Sequence, residues 1–422
     1  MSKQASEARQ RLEQFFDAGT FVEVDRLMRD GDNDVAVVCG YGLVNDAPAY
    51  AFAQDKSVCS GAVGKAQAAK IKTVYHLAAQ NGAPIVGIFD SDGARLTEGL
   101  DAMDAIAEIM AVANDLSGVV PQIAVVAGSC VGSSALIAAA ADVAIVAADA
   151  DYYLNVGDDS AKGDVAASDA EDAIAKARLL LGYLPSNNLS AAPIHLETAP
   201  SAVACESAKE VAAFVADADS LFTLYNDEVA ALATINGTVC GIVTLAGEAI
   251  SCCAAARAAR FVRFCDSFSL PILTVVDAEG FECLKGAARV CQAYTEATTA
   301  KVTLLTGKAY GPVYIAVAGK AAGADAVLAW ETASVSALKP ETAIHLLWKD
   351  RLAEMKDPKT DRAALAEEYR TTCCAVQAAA EQGAVTDVIA PEQTRATVSA
   401  FFDMLAGKRV SKLPKKHANI RL

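Results

Sequence analysis

Two short glycine-bearing segments are where this sequence concentrates groups able to do chemistry without a catalytic side chain. The first, GSCVGSSALIAAA from Gly128, follows the apolar run Ile123–Val126. The second, GKAYGPVYIAVAGK from Gly307, repeats it with the same spacing, Gly128 and Gly132 against Gly307 and Gly311. A strand that turns through small residues straight into an apolar helix leaves the first backbone N–H groups of that helix unpaired. Such groups can hold an anion or a developing oxyanion. In the first turn the candidate donors are the amides of Gly132 and Ser133; in the second, Pro312 breaks the symmetry because proline has no N–H. Two such turns suit a reaction in which two carbonyl compounds each become enolate-like, as when a carboxylate passes between them. Small residues also let a helix pack closely on a strand, and one turn alone does not separate the two readings.

Side-chain catalysis finds little support. The four histidines, His76, His195, His345 and His417, lie far apart, and GxSxG, HExxH and P-loop patterns are missing. His76 falls in an amphipathic helical stretch and reads as a packed or surface residue. Asp90 and Asp277 end apolar strands, where an aspartate caps the following turn more often than it catalyses. The twelve cysteines have no zinc spacing, and the neighbours Cys252/Cys253 and Cys373/Cys374 are badly placed for a shared metal or disulfide. They read as small core residues of a reduced, cytoplasmic protein, with no metal implied.

The elements that must position the two turns are themselves duplicated. GAPIVGIFDSDGARLTEG from Gly82 parallels SLPILTVVDAEGFECLKG from Ser269, matching Pro84/Pro271, Asp90/Asp277 and Gly93/Gly280. Upstream, two apolar runs hinge on Asn45-Asp46 in one half and on Asn236-Gly237 in the other, both hairpin signals. Each half thus reads as a hairpin, a helix (64–80; 254–268), a buried strand (85–89; 272–276), another helix, then strand, turn, helix and strand. That alternation predicts an α/β fold with mainly parallel pairing. A length of 422 residues suits two domains. We expect them at 1–195 and 220–422, joined by an Ala-, Pro- and Ser-rich linker at 196–219.

Composition excludes several classes. At 53% hydrophobic and 21% charged residues, the chain is expected to be globular rather than disordered. A net charge of −16 disfavours nucleic acid and anionic membranes. Only the stretch 408–421 is clearly basic, and it reads as a solvated tail. No apolar secretion signal opens the sequence, and no apolar segment is long and isolated enough to span a bilayer.

The sequence resembles the carboxyltransferase subunits of biotin-dependent acyl-CoA carboxylases, the group that includes propionyl-CoA carboxylase beta and methylmalonyl-CoA decarboxylase alpha subunits. Carrying the resemblance are GTFVEVD at Gly19, AFAQD at Ala51, DSDGARLTEG at Asp90, SGVVPQIAVVAGSCVG at Ser117, YLPSNN at Tyr183, AARFVRFCDSFSLPILTVVD at Ala258, YTEATTAKVT at Tyr294, GADAVLAW at Gly323 and PKKHANIRL at Pro414, in the family's order. The resemblance implies two tandem crotonase-like (ClpP/crotonase) domains. It further implies passage of carboxylate between N1-carboxybiotin, carried on a partner protein, and the α-carbon of a short acyl-CoA such as propionyl-CoA. On it, the first-domain turn at Gly132 and Ser133 holds the thioester oxygen. The second, at Pro312 and Val313, holds the biotin ureido oxygen. Gly61, Gly93, Ala94 and Arg95 fall in the CoA region, and Gly311, Tyr314 and Ile315 line the other side, Ile315 where acyl size is tuned.

The implied partners are a biotin carboxyl carrier protein with a biotin carboxylase subunit, or membrane decarboxylase subunits, together with further copies of the chain as a dimer or trimer of dimers. The family's GGAY stands here as Gly311-Pro312-Val313-Tyr314, its DSGGAR gains Asp92, and the glycine-rich stretch after Gly280 is abridged. Three readings therefore compete: a carboxylase subunit, the decarboxylase of a sodium-pumping complex, and a CoA-ester-binding paralogue that transfers nothing.

Overall fold

Asn45 and Asp46, and likewise Asn236 and Gly237, all take positive φ (51° and 64°; 51° and 80°), as a two-residue hairpin turn requires. The computed structural model, which describes residues 6–196, 199–354 and 360–420, builds one compact unit on each hairpin, dividing between Pro193 and Ile194. The first unit comprises α1 (Glu7–Phe15), β1 (Val22–Glu23), a separate ribbon of β2 (Arg29–Asp30) and β3 (Asn33–Asp34), β4 (Val37–Val44), β5 (Ala47–Gln54), α2 (Lys65–Asn81), β6 (Ile85–Ser91), α3 (Leu100–Asp115), β7 (Gln122–Val131), α4 (Ser133–Ala139), β8 (Val143–Ala147), β9 (Asp151–Tyr153), β10 (Val165–Ala167) and α5 (Ala170–Leu181). Its sheet runs β1-β4-β5-β6-β7-β8-β10, with β9 beside the far end of β7. The hairpin β4–β5 is antiparallel and everything from β5 onward is parallel.

The second unit repeats this plan. It contains α6 (Val211–Val215), β11 (Phe222–Leu224), β12 (Ala230–Ile235), β13 (Thr238–Gly247), α7 (Cys252–Ser267), β14 (Ile272–Ala278), α8 (Leu284–Glu296), β15 (Lys301–Tyr310), β16 (Ala326–Trp330) and β17 (Ser334–Ser336). These are followed by α9 (Pro340–Leu347), α10 (Lys349–Ala353), α11 (Thr360–Cys373), α12 (Val376–Glu381), β18 (Asp387–Ile389) and α13 (Thr394–Leu405). The strand order β11-β12-β13-β14-β15-β16-β18, with β17 beside β15, matches the first sheet position for position. In both units the inner parallel strands are apolar on both faces, so they read in sequence as continuous runs rather than alternations.

One shared device was invisible in the sequence. Asp17 accepts the N–H groups of Asn45 and Asp46 (3.3 and 3.0 Å) and pairs with Arg178 of α5 at 2.7 Å. Asp217 does the same for Asn236 and Gly237 (3.0 and 2.9 Å) and pairs with Arg395 of α13 at 2.6 Å. Each carboxylate ties the central hairpin to the last helix of its unit.

Three expectations change. Segment 196–219 does not form a linker: its described residues belong with the second unit, where Val211 and Val215 of α6 enter the core and Pro200 bridges Asp217. At five residues, α6 is too short to show a period. Cys252 and Cys283, brought together at the starts of α7 and α8, form a disulfide with Cα atoms 5.9 Å apart, whereas Cys39, Cys130, Cys240, Cys265 and Cys374 are buried thiols. The basic C-terminal stretch is anchored. Lys408 donates to Thr299 O and Asp325, Lys412 to Thr295 O, and Lys415 pairs with Glu296. Cations there complement the carbonyl end of α8. Among the described residues no helix is long and apolar enough to cross a membrane.

Burial opposes charge on Asp217, but hydrogen bonds from Thr234, Gly237, Arg395 and Asn236 outweigh it and hold the carboxyl below its ordinary value of 3.8. Asp217→Ala removes the counter-charge of Arg395, which keeps only the carbonyls of Val215 and Ala216, and strands two turn N–H groups; it should cost about 3 kcal/mol in urea unfolding at pH 7. Because the folded value is depressed, this increment is present above pH 3.8 and is lost as pH falls through the folded value. The variant should lack that component of the acid dependence.

Candidate active site

The two turns are built by one irregularity in strand pairing. β6 and β7 run in register from Ile85–Gln122 to Phe89–Val126, and the next pair is Ser91–Cys130. In the second unit the pairing passes from Val276–Leu305 to Ala278–Ala309. Two extra residues therefore stand in β7 and in β15, facing Asp90 and Asp277. Asp90 accepts the Ser129 N–H at 3.1 Å, and Asp277 accepts the Lys308 N–H at 2.8 Å. A Cβ on Gly128 or Gly307 would collide with the carboxylate, so both aspartates cap a strand that has slipped. Asp90 is also paired with Arg11 at 2.8 Å, with both side chains at most 10% exposed, and Lys56 reaches it at 3.6 Å.

Beyond the slip, β7 continues to Val131, five residues past its expected end, because Ser129–Val131 pair with β9. Gly132 then takes φ 57° and ψ −126°, a conformation confined to glycine. Its N–H donates to Tyr153 O at 3.0 Å and is thereby used. The open donors of the turn are those of Ser133 and Ser134, at the start of α4. In the second unit the Gly311 N–H donates to Ser336 O at 2.9 Å. Pro312 occupies the position of Ser133, leaving Val313 as the first donor before the π-helical turn Tyr314–Ala318. Val313 is buried, Tyr314 half-buried, and the Ile315 side chain is 67% exposed.

The structure brings most of the predicted first-unit residues together. A Cβ on Gly93 (φ 98°) would lie 3.0 Å from Val131 O and 3.9 Å from the Ser133 nitrogen, so the Gly93 loop lies against the α4 turn. The Gly93 N–H donates to Ser91 Oγ at 3.1 Å. Ala94 bridges Val63 through its neighbours, Val63 N–H to Gly93 O at 2.8 Å and Arg95 N–H to Val63 O at 2.9 Å. The Ala94 N–H itself has no acceptor among the described residues. Gly61 packs on the Asp90 carbonyl and ends a run of positive φ at Cys59, Ser60 and Gly61 (48°, 55° and 67°). Strain of this kind gathers where a loop must hold an unfavourable shape. Arg95 faces two carboxylates, Asp30 and Glu98, and Glu98 in turn accepts the Lys65 N–H at 2.8 Å. Arg95 therefore fixes the Leu96–Glu98 turn. Burial pushes the Cys130 thiol up to about 12, which disqualifies it as a nucleophile at neutral pH.

Sequence reasoning missed a charged cluster in the second unit. Lys308 and Lys339 each place Nζ 2.6 Å from a different oxygen of Glu279. The repeat could have found Glu279, which precedes Gly280 as Asp92 precedes Gly93. Lys339 carries no local signal. Among the described residues no group of His, Cys, Asp or Glu is placed to hold a metal ion.

A duplicated parallel-rich α/β unit, in which a central strand turns at a positive-φ glycine into a helix with open N–H groups, defines a crotonase-like protein. The chain matches the carboxyl transferase domain over residues 3–162 and 155–420, and it belongs to that family. It is 34% identical to a propionyl-CoA carboxylase beta chain of Saccharopolyspora erythraea, covering 98% of this chain and 90% of the relative. It is 33% identical to a methylmalonyl-CoA decarboxylase subunit alpha of Veillonella parvula, covering 98% and 93%. The first alignment spans 493 positions, more than the 422 residues here, so the relative carries segments this chain lacks. The fold superposes on the transcarboxylase 12S hexamer core, solved with methylmalonyl-coenzyme A and methylmalonic acid bound, with a TM-score of 0.91 at 29% identity over 98% of this chain and 92% of that one.

Since a Cβ on Gly132 meets no atom within 4 Å, Gly132→Ala isolates backbone strain. It should lower stability by about 1–3 kcal/mol, read from urea denaturation, and a variant as stable as the wild type would show that the turn relaxes.

Proposed function

We propose that this chain transfers carboxylate between a biotin group carried on a partner protein and the α-carbon of a short-chain acyl-CoA, propionyl-CoA and methylmalonyl-CoA being the best-fitting pair. The carrying observation is the Ser133 N–H at the α4 start, with the Gly93 loop against it and the Ala94 N–H open nearby. Two backbone donors of this kind stabilise a thioester oxygen as it gains enolate charge, and they act without reorganisation because strand, bulge and helix fix them. Gly132 shapes this site by its φ rather than by donating. Bound biotin supplies the carboxyl group, or accepts it in reverse. In the second unit Val313 offers the donor for its ureido oxygen, Gly311 positions the turn, and Tyr314 and the exposed Ile315 border the acyl side.

The chain would act as a homo-oligomer. Leu100 and Leu284, which open the corresponding helices α3 and α8, are 81% and 87% exposed, and the repeat-equivalent Leu136 and Ile315 are 47% and 67% exposed. Apolar surface disposed alike on both repeats suits a first unit of one copy facing a second unit of another. Partners would be a biotin carrier with its carboxylase, or decarboxylase subunits. Pro312 favours one alternative, a CoA-ester-binding paralogue without transfer, because the second turn has lost a donor.

The test supplies malonyl-CoA or methylmalonyl-CoA with free biotin and follows loss of the carboxylate. Ser133→Pro gives the first turn the defect of the second at a helix position that tolerates proline. Turnover should fall about a hundred- to a thousand-fold with binding of the CoA ester largely kept. Wild-type protein that binds the ester yet shows no turnover would establish the paralogue instead.

A further inference from the structure

The Glu279 cluster stands at the mouth of the second turn, and among the described residues no carboxylate at the first turn is held by two lysines. Lys308 leaves β15 three residues before Gly311. Lys339 caps the start of α9, two residues after Ala337, whose carbonyl lies against Gly311. Both ammonium groups converge on one carboxylate with separate oxygens, at 2.6 Å each. At the repeat-equivalent positions the first unit carries Ser129, Val156 and Asp92. Val156 is 98% exposed, and the cations there are Arg11, paired with Asp90, and Lys56, shared between Asp90, Asp92 and Ser129. The hydrogen bond from Lys308, then that from Lys339, holds the Glu279 carboxyl below its ordinary range, and the same bond raises Lys308. The side chains of Lys308 and Lys339 are half exposed and that of Glu279 is 19% exposed, so solvent and small solutes reach the two ammonium groups.

Two lysines gripping opposite oxygens of a single carboxylate make a seat of carboxylate size and charge, and Glu279 is its resident occupant. We propose that Lys308 and Lys339 form a clamp for the migrating carboxyl group on the biotin side, and that Glu279 fills this clamp until an incoming carboxylate displaces it. This rests on reading the second turn as the biotin side. The clamp is a positioning device: it holds the carboxylate beside the turn and makes no bond to it. Glu279 also raises the concentration of carboxylate needed for occupancy, so solution anions compete poorly at rest.

The probe is malonate, titrated calorimetrically against the full-length chain. Glu279→Gln keeps shape and removes the competing charge, and malonate should bind about fivefold or more tighter than to wild type, one exposed ion pair's worth. Adding Lys339→Gln to Glu279→Gln should abolish that gain. Lys339→Gln alone, an independent variant in which Glu279 keeps Lys308, should bind malonate no better than wild type. Unchanged malonate affinity in Glu279→Gln, or a gain that survives loss of Lys339, overturns the clamp. A malonyl-CoA decarboxylation assay with free biotin, run on the same proteins, separates the two ideas. Lys339-dependent malonate binding without turnover keeps the clamp and removes the transferase reading, whereas turnover without altered malonate binding does the reverse.

Discussion

A carboxylate near the end of the second strand of each parallel run, buried at Asp90 and half-buried at Asp277, governs both units. Asp90 and Asp277 each accept the backbone N–H three residues after the last in-register pair, at 3.1 and 2.8 Å, and this bond holds two additional residues in the neighbouring strand. The neighbour then emerges displaced by two positions, pairs with a new short strand, and reaches its glycine turn at the right height to expose the first N–H groups of a helix. Glycine at 128 and 307 is required because the carboxylate occupies the space of a Cβ. Without the carboxylate, the N–H of Ser129 or Lys308 would lose its acceptor in the fold, and the turn would have no defined position. In the first unit Arg11 from the N-terminal helix completes the site by satisfying the second carboxylate oxygen.

The features legible in the sequence were those encoded locally. Asn-Asp and Asn-Gly announce hairpins because few other residues adopt two consecutive positive φ values. The spacing of Asp90, Gly93, Gly128 and Gly132, and its recurrence 187 residues on for the first pair and 179 for the second, announces the shared fold because each residue answers a backbone demand. What stayed hidden depends on partners far apart in the chain. Asp17 with Arg178, Asp217 with Arg395, and Glu279 with Lys339 are separated by 161, 178 and 60 residues, and no window of sequence contains both ends. The partner of the Gly132 amide was hidden for a related reason: its acceptor, Tyr153 O, lies on a three-residue strand too short to recognise before the fold exists.

The duplication has kept its skeleton and changed its fittings. Strand order, register slip, hairpin tie and turn glycine are common to both units, and each is a backbone requirement. The residues around the turns differ in kind: Ser133 against Pro312, Ser129 against Lys308, Val156 against Lys339, an ordinary seven-residue helix against a π-helical turn. Chemistry asks different things of the two turns if one receives a thioester and the other a carboxylated ring. A frame that fixes the backbone independently of those side chains lets each face drift towards its own ligand.

That independence also explains why the site is thin in acids and bases. A donor built from N–H groups survives almost any substitution at its own position, because nineteen side chains present the same amide. Proline is the exception, which makes Pro312 the single informative residue in either turn: it alone changes the donor set, whereas Val131, Ser133 or Ser134 alter only size and polarity. The loss falls on the side where two lysines supply positive charge a few residues away. A cation near a developing anion replaces part of what a missing hydrogen bond gave, less directionally and with greater sensitivity to salt.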